Sequence, residues 1–296
     1  MIVITGGAGF IGSTLAKKFD GKDLMLIDKF SDAIQRKYIN QVSGARLVRI
    51  QECKQILNTY KNEISCFYHL GANSSTDQKI FSETVELNIH WSQYFWDFCS
   101  NHKIPFIYAS SASVYGTGKH GFKENAPTSP INYYAISKSS FDDIASQKAK
   151  DHPEATIVGL RYFNVYGSGE NHKKDMASPI HKFFMQSKDS GIIRIFEGSE
   201  KFVRDFIHVA DVAKITKSAR HFPSGIYNVG TGVSRSFLDV ATLISSHTEA
   251  KIVVIPFPDH LIGKYQSTTC SENSKINKYY PTDRLSLEDG IKKFIE

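Results

Sequence analysis

No apolar run in this chain approaches the roughly 20 residues needed to cross a bilayer, so no membrane partner is expected. No basic leader with a small-residue cleavage site precedes "MIVITGG", which makes a cytoplasmic location the expectation. Cysteine is scarce. Cys53, Cys66, Cys99 and Cys270 stand far apart, without a C-x-x-C pair or a histidine cluster at metal-ligand spacing, which argues for reduced, packing thiols and against a metal site. The 36 basic residues outnumber the 30 acidic ones, yet they form no basic run and no interleaved aromatic stripe. A nucleic-acid partner is therefore not expected, and a phosphate-bearing small molecule accounts for the net charge of +6 equally well. Repeats, low-complexity tracts and linkers are also missing. At 296 residues this leaves one large domain with an added lobe, or two domains.

What is present is an alternation. "MIVIT" is a β-branched run that stops at "GGAGFIG", "STLAKKF" reads as a helix, and "DLMLID" as a second apolar strand. "ISCFYHLGA", "PFIYASSA" and "TIVGLRYFNVYG" repeat the short apolar strand ending in small or polar residues, with helical stretches such as "ETVELNIHWSQYFWDFCSNH" between them. The pattern predicts an α/β fold, a Rossmann-type doubly wound parallel sheet whose ligand lies beyond the carboxyl ends of the strands. After Gly167 the alternation loosens. The expected organisation is a dinucleotide-binding domain over 1–166, to which the chain returns at about 207–232 and 267–280, and a smaller, mainly C-terminal α/β substrate lobe over 167–296. Ser236 with Asp239, and Ser286 with Asp289, have the spacing of helix N-caps.

Gly6, Gly9 and Gly12 lie between the first strand and the first helix, with Phe10 and Ile11 opening that helix. Without Cβ atoms such glycines allow a tight turn, a pyrophosphate's close approach and close helix–strand contact. Asp28 follows at the end of the second strand, at the distance where a carboxylate accepts from a ribose 2′-hydroxyl and so favours NAD. Lys29 comes next, with Arg36 and Lys37 beyond it. These cations either neutralise a 2′-phosphate or are solvated surface charges, and the residues alone leave both readings open.

"NYYAISKSS" places Tyr134, and not Tyr133, four residues before Lys138, so on a helix the phenol and the amine share a face. "YASSASVYG" supplies Ser110, Ser111 and Ser113 at a strand end. A lysine cation and an oxidised nicotinamide favour phenolate, and a serine hydroxyl orients the reacting alcohol. A tyrosine with pKa near 10 must fall by about three units to act near neutrality, roughly 4 kcal/mol.

"TGGAGFIG", "YASSASVYG", "YAISK" and "RYFNVYG" together resemble the extended short-chain dehydrogenase/reductase family, whose members mostly modify nucleotide sugars. "HLGANSST", "RYFNVYGSGENHKKDMAS", "FEGSEKFVRDF" and "IPFPDHLIGKYQ" narrow the resemblance to its ADP-L-glycero-D-manno-heptose 6-epimerases, over nearly the whole chain. The resemblance implies Ser111, Tyr134 and Lys138 as the catalytic triad and Lys173 as a second acid–base residue. It implies C6 epimerisation of an ADP-heptose by transient oxidation and re-reduction with tightly bound NADP, NAD remaining an alternative, in the supply of lipopolysaccharide core precursors. It also implies a homo-oligomer. Gly71, Ala72, Asn73 and Asn88 then map to the cofactor's surroundings, Asn88 having the alternative of joining two loops. Asn164, Phe196, Glu197, Gly198, Ser199, Arg204 and Tyr265 map to the sugar-nucleotide site. Asp175 and Lys182, also in that region, depart from the pattern, which has a small polar residue and a histidine there. The nearest rival is another nucleotide-sugar epimerase, dehydratase or reductase of the family, such as a UDP-hexose 4-epimerase. A catalytically dead dinucleotide sensor is the remote one.

Overall fold

The computed structural model describes residues 1–30, 42–74, 81–259 and 266–296. Two compact units form, each from several chain segments. The first comprises Met1–Val114, Pro130–Arg161 and Val212–Tyr227, and the second Tyr115–Ser129, Tyr162–Asp211 and Asn228–Glu296. Residues 267–280 thus group with the second unit, where the Asp205 carboxylate accepts from the Ser271 amide and hydroxyl.

The first unit is built as β1 (Ile2–Thr5), α1 (Phe10–Ala16), β2 (Leu24–Asp28), β3 (Arg46–Arg49), α2 (Cys53–Tyr60), β4 (Cys66–His69), α3 (Phe81–Val85), α4 (Trp91–Asn101), β5 (Phe106–Ser111), α5 (Tyr133–Asp151) and β6 (Ile157–Tyr162). The seven-stranded sheet runs β10-β6-β5-β4-β1-β2-β3, where β10 is Gly225–Val229. β1 lies parallel to β2 and β4, β2 to β3, and β4 to β5. All residues of β1, β4 and β6 are buried, which is why these strands read as continuous apolar runs: helices cover both faces of the sheet. One core gathers Val3, Met25, Phe67, Phe95, Trp96, Phe106 and Phe141. Between α3 and α4, Glu86–His90 winds at the wider π pitch, where a single uninterrupted helix was expected.

"TIVGLRYFNVYG" is two strands rather than one: after β6 the chain turns at Phe163, and β7 (Asn164–Tyr166) joins a different sheet. The second unit continues with α6 (Pro179–Ser190), β8 (Ile192–Phe196) and β9 (Val203–His208), and the first takes back α7 (Val209–Ser218) for most of its length. Then follow β10, β11 (Ser234–Ser236), α8 (Phe237–Thr248), β12 (Lys251–Ile255), α9 (Ser274–Asn277) and α10 (Leu287–Ile295). β11-β9-β7 form one small sheet and the parallel pair β12-β8 another. Ile180, Ile193, Phe206, Val240, Ile244 and Ile291 share the second core. Both serine caps are in place. Ser236 forms a full capping box with Asp239, and Ser286 accepts from the Asp289 amide. Among the described residues no helix is long and apolar enough to cross a membrane, and no group of His, Cys, Asp and Glu is placed to hold a metal ion. All four cysteines are free thiols.

Candidate active site

The glycine loop fills the gap between β1 and α1, and its glycines are needed for space. Gly6 adopts φ +66°, and a Cβ there would stand 2.6 Å from the Gly71 amide nitrogen. At Gly12 a Cβ would come 2.0 Å from the Gly6 carbonyl oxygen. Gly9 precedes the helix in extended conformation and its amide donates to the Gly6 carbonyl. Phe10 is buried and Ile11 partly so. Asp28 is oriented by the chain itself: the Ala8 amide donates to one carboxylate oxygen at 3.0 Å and the Lys29 amide to the other at 2.7 Å. Lys29 is exposed beside it. A loop with no room for side chains, next to an oriented carboxylate at the strand end, fits a dinucleotide. Arg36 and Lys37 lie outside the described residues, as does Tyr265.

At the end of β4, His69 is buried and bonded at both ring nitrogens, Nδ1 with Thr5 Oγ1 at 2.6 Å and Nε2 with Ser92 Oγ at 2.8 Å. Ser92 gives its hydrogen to the Asn88 carbonyl, so Nε2 carries the ring hydrogen and Nδ1 accepts from Thr5, which in turn accepts from the Gly71 amide. Burial first, and the Lys138 charge second, push the His69 pKa down to about 3, and the ring is neutral. Asn88 sits in the π turn and is 1% exposed. Its side chain holds both the amide and the carbonyl of Asn73 and donates to Ser137, whose hydroxyl bonds the Tyr134 carbonyl. The tie that Asn88 makes runs from the loop after β4 to α5, not between two loops. Ala72 is exposed and Gly71 partly so.

Asn132 caps α5 by accepting from the Ala135 amide, which starts the helix just ahead of the tyrosines. Tyr133 points outward against Phe81, 44% exposed. Tyr134 hydrogen-bonds Ser111, and Lys138 Nζ donates to the Ala109 carbonyl at 2.7 Å, lying 5.9 Å from the centre of the Tyr134 ring. The triad is thus assembled within one unit. Its electrostatics differ from the sequence expectation. Burial pushes the Tyr134 pKa up, the Ser111 bond pulls it down and the Asp142 charge pushes it up again, with a net rise. Burial takes Lys138 down to about 8 against the raising effect of Asp142. The expected lowering of the phenol is not produced by this chain alone, because removing the phenolate from water outweighs what the neighbours return.

In the second unit, Lys173 Nζ pairs with the Glu170 carboxylate at 3.0 Å. Glu170 is fully buried and also accepts from the Gly167 amide and from the Ser178 amide and hydroxyl. The neighbouring Lys174 is held at φ 46°, ψ −121°, a strained backbone for a residue with a side chain. Phe196 to Ser199 form the turn after β8, with Gly198 at φ +78° and Phe196 against Phe257. Glu197 is exposed there. Asn164 accepts from the Thr269 hydroxyl. Lys182 is exposed on α6, and the Asp175 side chain is not among the described groups. Arg204, expected in the sugar-nucleotide site near the diphosphate or the adenosine, is 7% exposed and gives its donors to the Val203, Ser267 and Gln266 carbonyls while lying over Phe237. As placed, it pins the chain at 266–267. Sequence reading passed over His69, Asp142 and Glu170. The signals available were the "YHLGA" strand end, the four-residue step from Lys138 to Asp142, and the three-residue step from Glu170 to Lys173.

The model of the NAD dependent epimerase/dehydratase family matches residues 2–230. The chain is similar to an ADP-L-glycero-D-manno-heptose-6-epimerase of Brachyspira hyodysenteriae, 37% identical over 100% of this chain and 97% of that one. The enzyme of the same description from Alkalilimnicola ehrlichii is 36% identical with the same coverage. The crystal structure of the Helicobacter pylori ADP-L-glycero-D-manno-heptose-6-epimerase superposes with a TM-score of 0.86 at 26% identity, over 99% of this chain and 94% of the other. These matches bear out the resemblance drawn from the motifs, and with the glycine loop and the Ser111–Tyr134–Lys138 arrangement they lead to one statement: the chain belongs to the NAD dependent epimerase/dehydratase family.

Proposed function

We propose that the protein converts ADP-D-glycero-β-D-manno-heptose to ADP-L-glycero-β-D-manno-heptose by epimerisation at C6. The observation that carries this reading is full-length similarity at 37% identity to an enzyme of that description, since the triad by itself specifies only alcohol–carbonyl chemistry. Gly6, Gly9, Gly12 and Asp28 would hold the nicotinamide dinucleotide, which when bound supplies a hydride acceptor that later gives the hydride back. Tyr134 Oη takes the proton of the sugar hydroxyl, and Ser111 holds the reacting oxygen by a hydrogen bond. Lys138 keeps a positive charge close to the phenol as that proton arrives. The resulting carbonyl presents its other face, and Lys173 hands a proton to its oxygen on that side. Buried Glu170 fixes where the Lys173 amine stands. Asn164 and the Phe196–Ser199 turn belong to the sugar-nucleotide site in this reading, and Arg204 holds the chain at 266–267.

The finer assignments are part of the proposal: NADP rather than NAD, supported by exposed Lys29 beside Asp28, and a cytoplasmic homo-oligomer serving lipopolysaccharide core synthesis. Incubation with the D-glycero nucleotide, followed by proton NMR at C6, tests the central claim. Conversion toward the L-glycero form is expected. Unchanged substrate alongside rapid turnover of a UDP-hexose would transfer the protein to the rival reading. Nucleotide released by heat from the purified protein should carry a 2′-phosphate, and recovery of NAD alone would reject the NADP assignment.

A further inference from the structure

The face of α5 that carries Tyr134 and Lys138 continues one turn further to Asp142. Three consecutive residues of β5 meet this stripe. Ser111 bonds Tyr134, the Ala109 carbonyl accepts from Lys138, and Ser110 Oγ donates to Asp142 Oδ2 at 3.0 Å. Tyr108 Oη donates to Asp142 Oδ1 at 2.9 Å, and Arg161 Nε on β6 donates to Oδ2 at 2.8 Å. Asp142, Ser110, Tyr108 and Arg161 are each at most 3% exposed. Gly159 makes the room for this, since a Cβ there would lie 2.4 Å from Tyr108 Oη. All three side chains that meet the carboxylate donate to it, the pattern an ionised group requires. A buried ion pair is a poor way to gain stability, as apolar side chains of the same volume commonly do as well. Its position, one turn from the reactive amine, gives it another use.

We propose that Asp142 is a positioning residue for the Tyr134–Lys138 pair: its carboxylate, pinned by Arg161, Tyr108 and Ser110, is the counter-charge that keeps Lys138 an ammonium in a dry seat against a neutral carbonyl. The inference rests on Tyr134 and Lys138 being the proton-transfer pair. The groups facing Lys138 are His69 on β4, the Ala109 carbonyl on β5, and Tyr134 and Asp142 on its own helix. Those facing Asp142 are Tyr108 and Ser110 on β5 and Arg161 on β6. His69 is neutral, so Asp142 is the anion of this set. It raises both Lys138 and Tyr134, opposing on the lysine the effect of burial. Phenolate with ammonium and phenol with neutral amine hold the same number of protons. Loss of the carboxylate therefore lowers both titrations and also tips the pair toward the unreactive phenol–amine form.

Asp142→Asn keeps the shape and removes the charge. Both limbs of its pH profile for epimerisation should move to lower pH by about one unit, with the plateau falling about tenfold. Because this variant leaves Arg161 buried and uncompensated, Asp142→Asn combined with Arg161→Gln is measured beside it, with limbs displaced in the same direction. Tyr108→Phe removes one hydrogen bond and no charge, so its limbs should stay in place, and Asp142→Glu should return them toward wild type. Unmoved limbs in Asp142→Asn and in its combination with Arg161→Gln, or an equal displacement in Tyr108→Phe, would overturn the inference. Tyr134→Phe separates the two levels. Wild-type activity in that variant defeats the underlying reading, whereas an inactive Tyr134→Phe with unmoved limbs in Asp142→Asn defeats only the role of Asp142.

Discussion

Lys138 and Lys173 are both amines held by an oxygen, in opposite settings. Lys138 is 6% exposed and donates to an uncharged carbonyl, with its carboxylate a helical turn away. The Lys173 side chain keeps 24% exposure and meets its carboxylate directly, and it is the carboxylate that is buried. The first unit secures its amine by packing and the second by charge. Salt screens a partly open ion pair and leaves a backbone carbonyl's hold on a dry amine almost untouched. The two units also differ in reach. Glu170 and the groups that grip it fall within 167–178, whereas the groups around Lys138 come from two strands and a helix.

The largest expected effect separates the two amines' territories by chemistry. Tyr134→Phe and Lys173→Met should each lower epimerisation at least about 10²-fold, the scale of acid–base contributions. At least one of them should still reduce or dismutate an aldehyde analogue of the sugar, from the face it does not serve. If both variants lost that half-activity as well, the division of labour between the units would be broken.

Acid should sharpen the contrast between the units. His69 titrates at about 3 in the fold and at the ordinary 6.5 in the unfolded chain, so the unfolded state binds more protons between these values. Stability is then fully present above about pH 6.5 and is lost as pH falls through that window, by roughly 5 kcal/mol at the limit. In the second unit His181 is also lowered, by burial first, with Glu170 raising it and Lys173 lowering it. The fully buried, doubly bonded ring should dominate, and β4 should lose hydrogen-exchange protection at a higher pH than α6. Denaturant unfolding at pH 7 and pH 4 checks the slope, and His69→Gln should flatten it. Equal loss of protection in both units would remove His69 from the account.

The smallest effect belongs to the second unit alone. Ser236→Ala removes the side-chain half of the α8 capping box and should cost about 1 kcal/mol in urea unfolding, with turnover unchanged. A loss of activity comparable to that of Lys173→Met would mean that α8 reaches the chemistry after all.

Features carried by neighbours in the chain were legible before any coordinates. The β-branched run ahead of Gly6, the aspartate closing β2, the Tyr134–Lys138 step and both serine caps are local patterns, and each lies where its spacing put it. The break at Phe163 was not, because apolar residues on both sides of it hide a change of sheet. The Asp142–Arg161 and Thr5–His69–Ser92 sets were hidden for another reason. Their members come from separate elements, and only the sheet order β6-β5-β4-β1 brings them side by side. The rise in the Tyr134 pKa escaped for a third reason, since spacing reveals a neighbour and says nothing of lost water.

The π turn at Glu86–His90 amounts to one residue more than an α-helix would use over the same axial distance. The extra residue is taken up within that turn, so deleting one residue there would close the stretch to α pitch and change which side chains it presents. Asn88, which faces Asn73 and Ser137, and Ser92, which faces His69, owe their directions to that count. A one-codon deletion in this short stretch would therefore undo the tie between the loop after β4 and α5, a dependence on length that its sequence does not advertise.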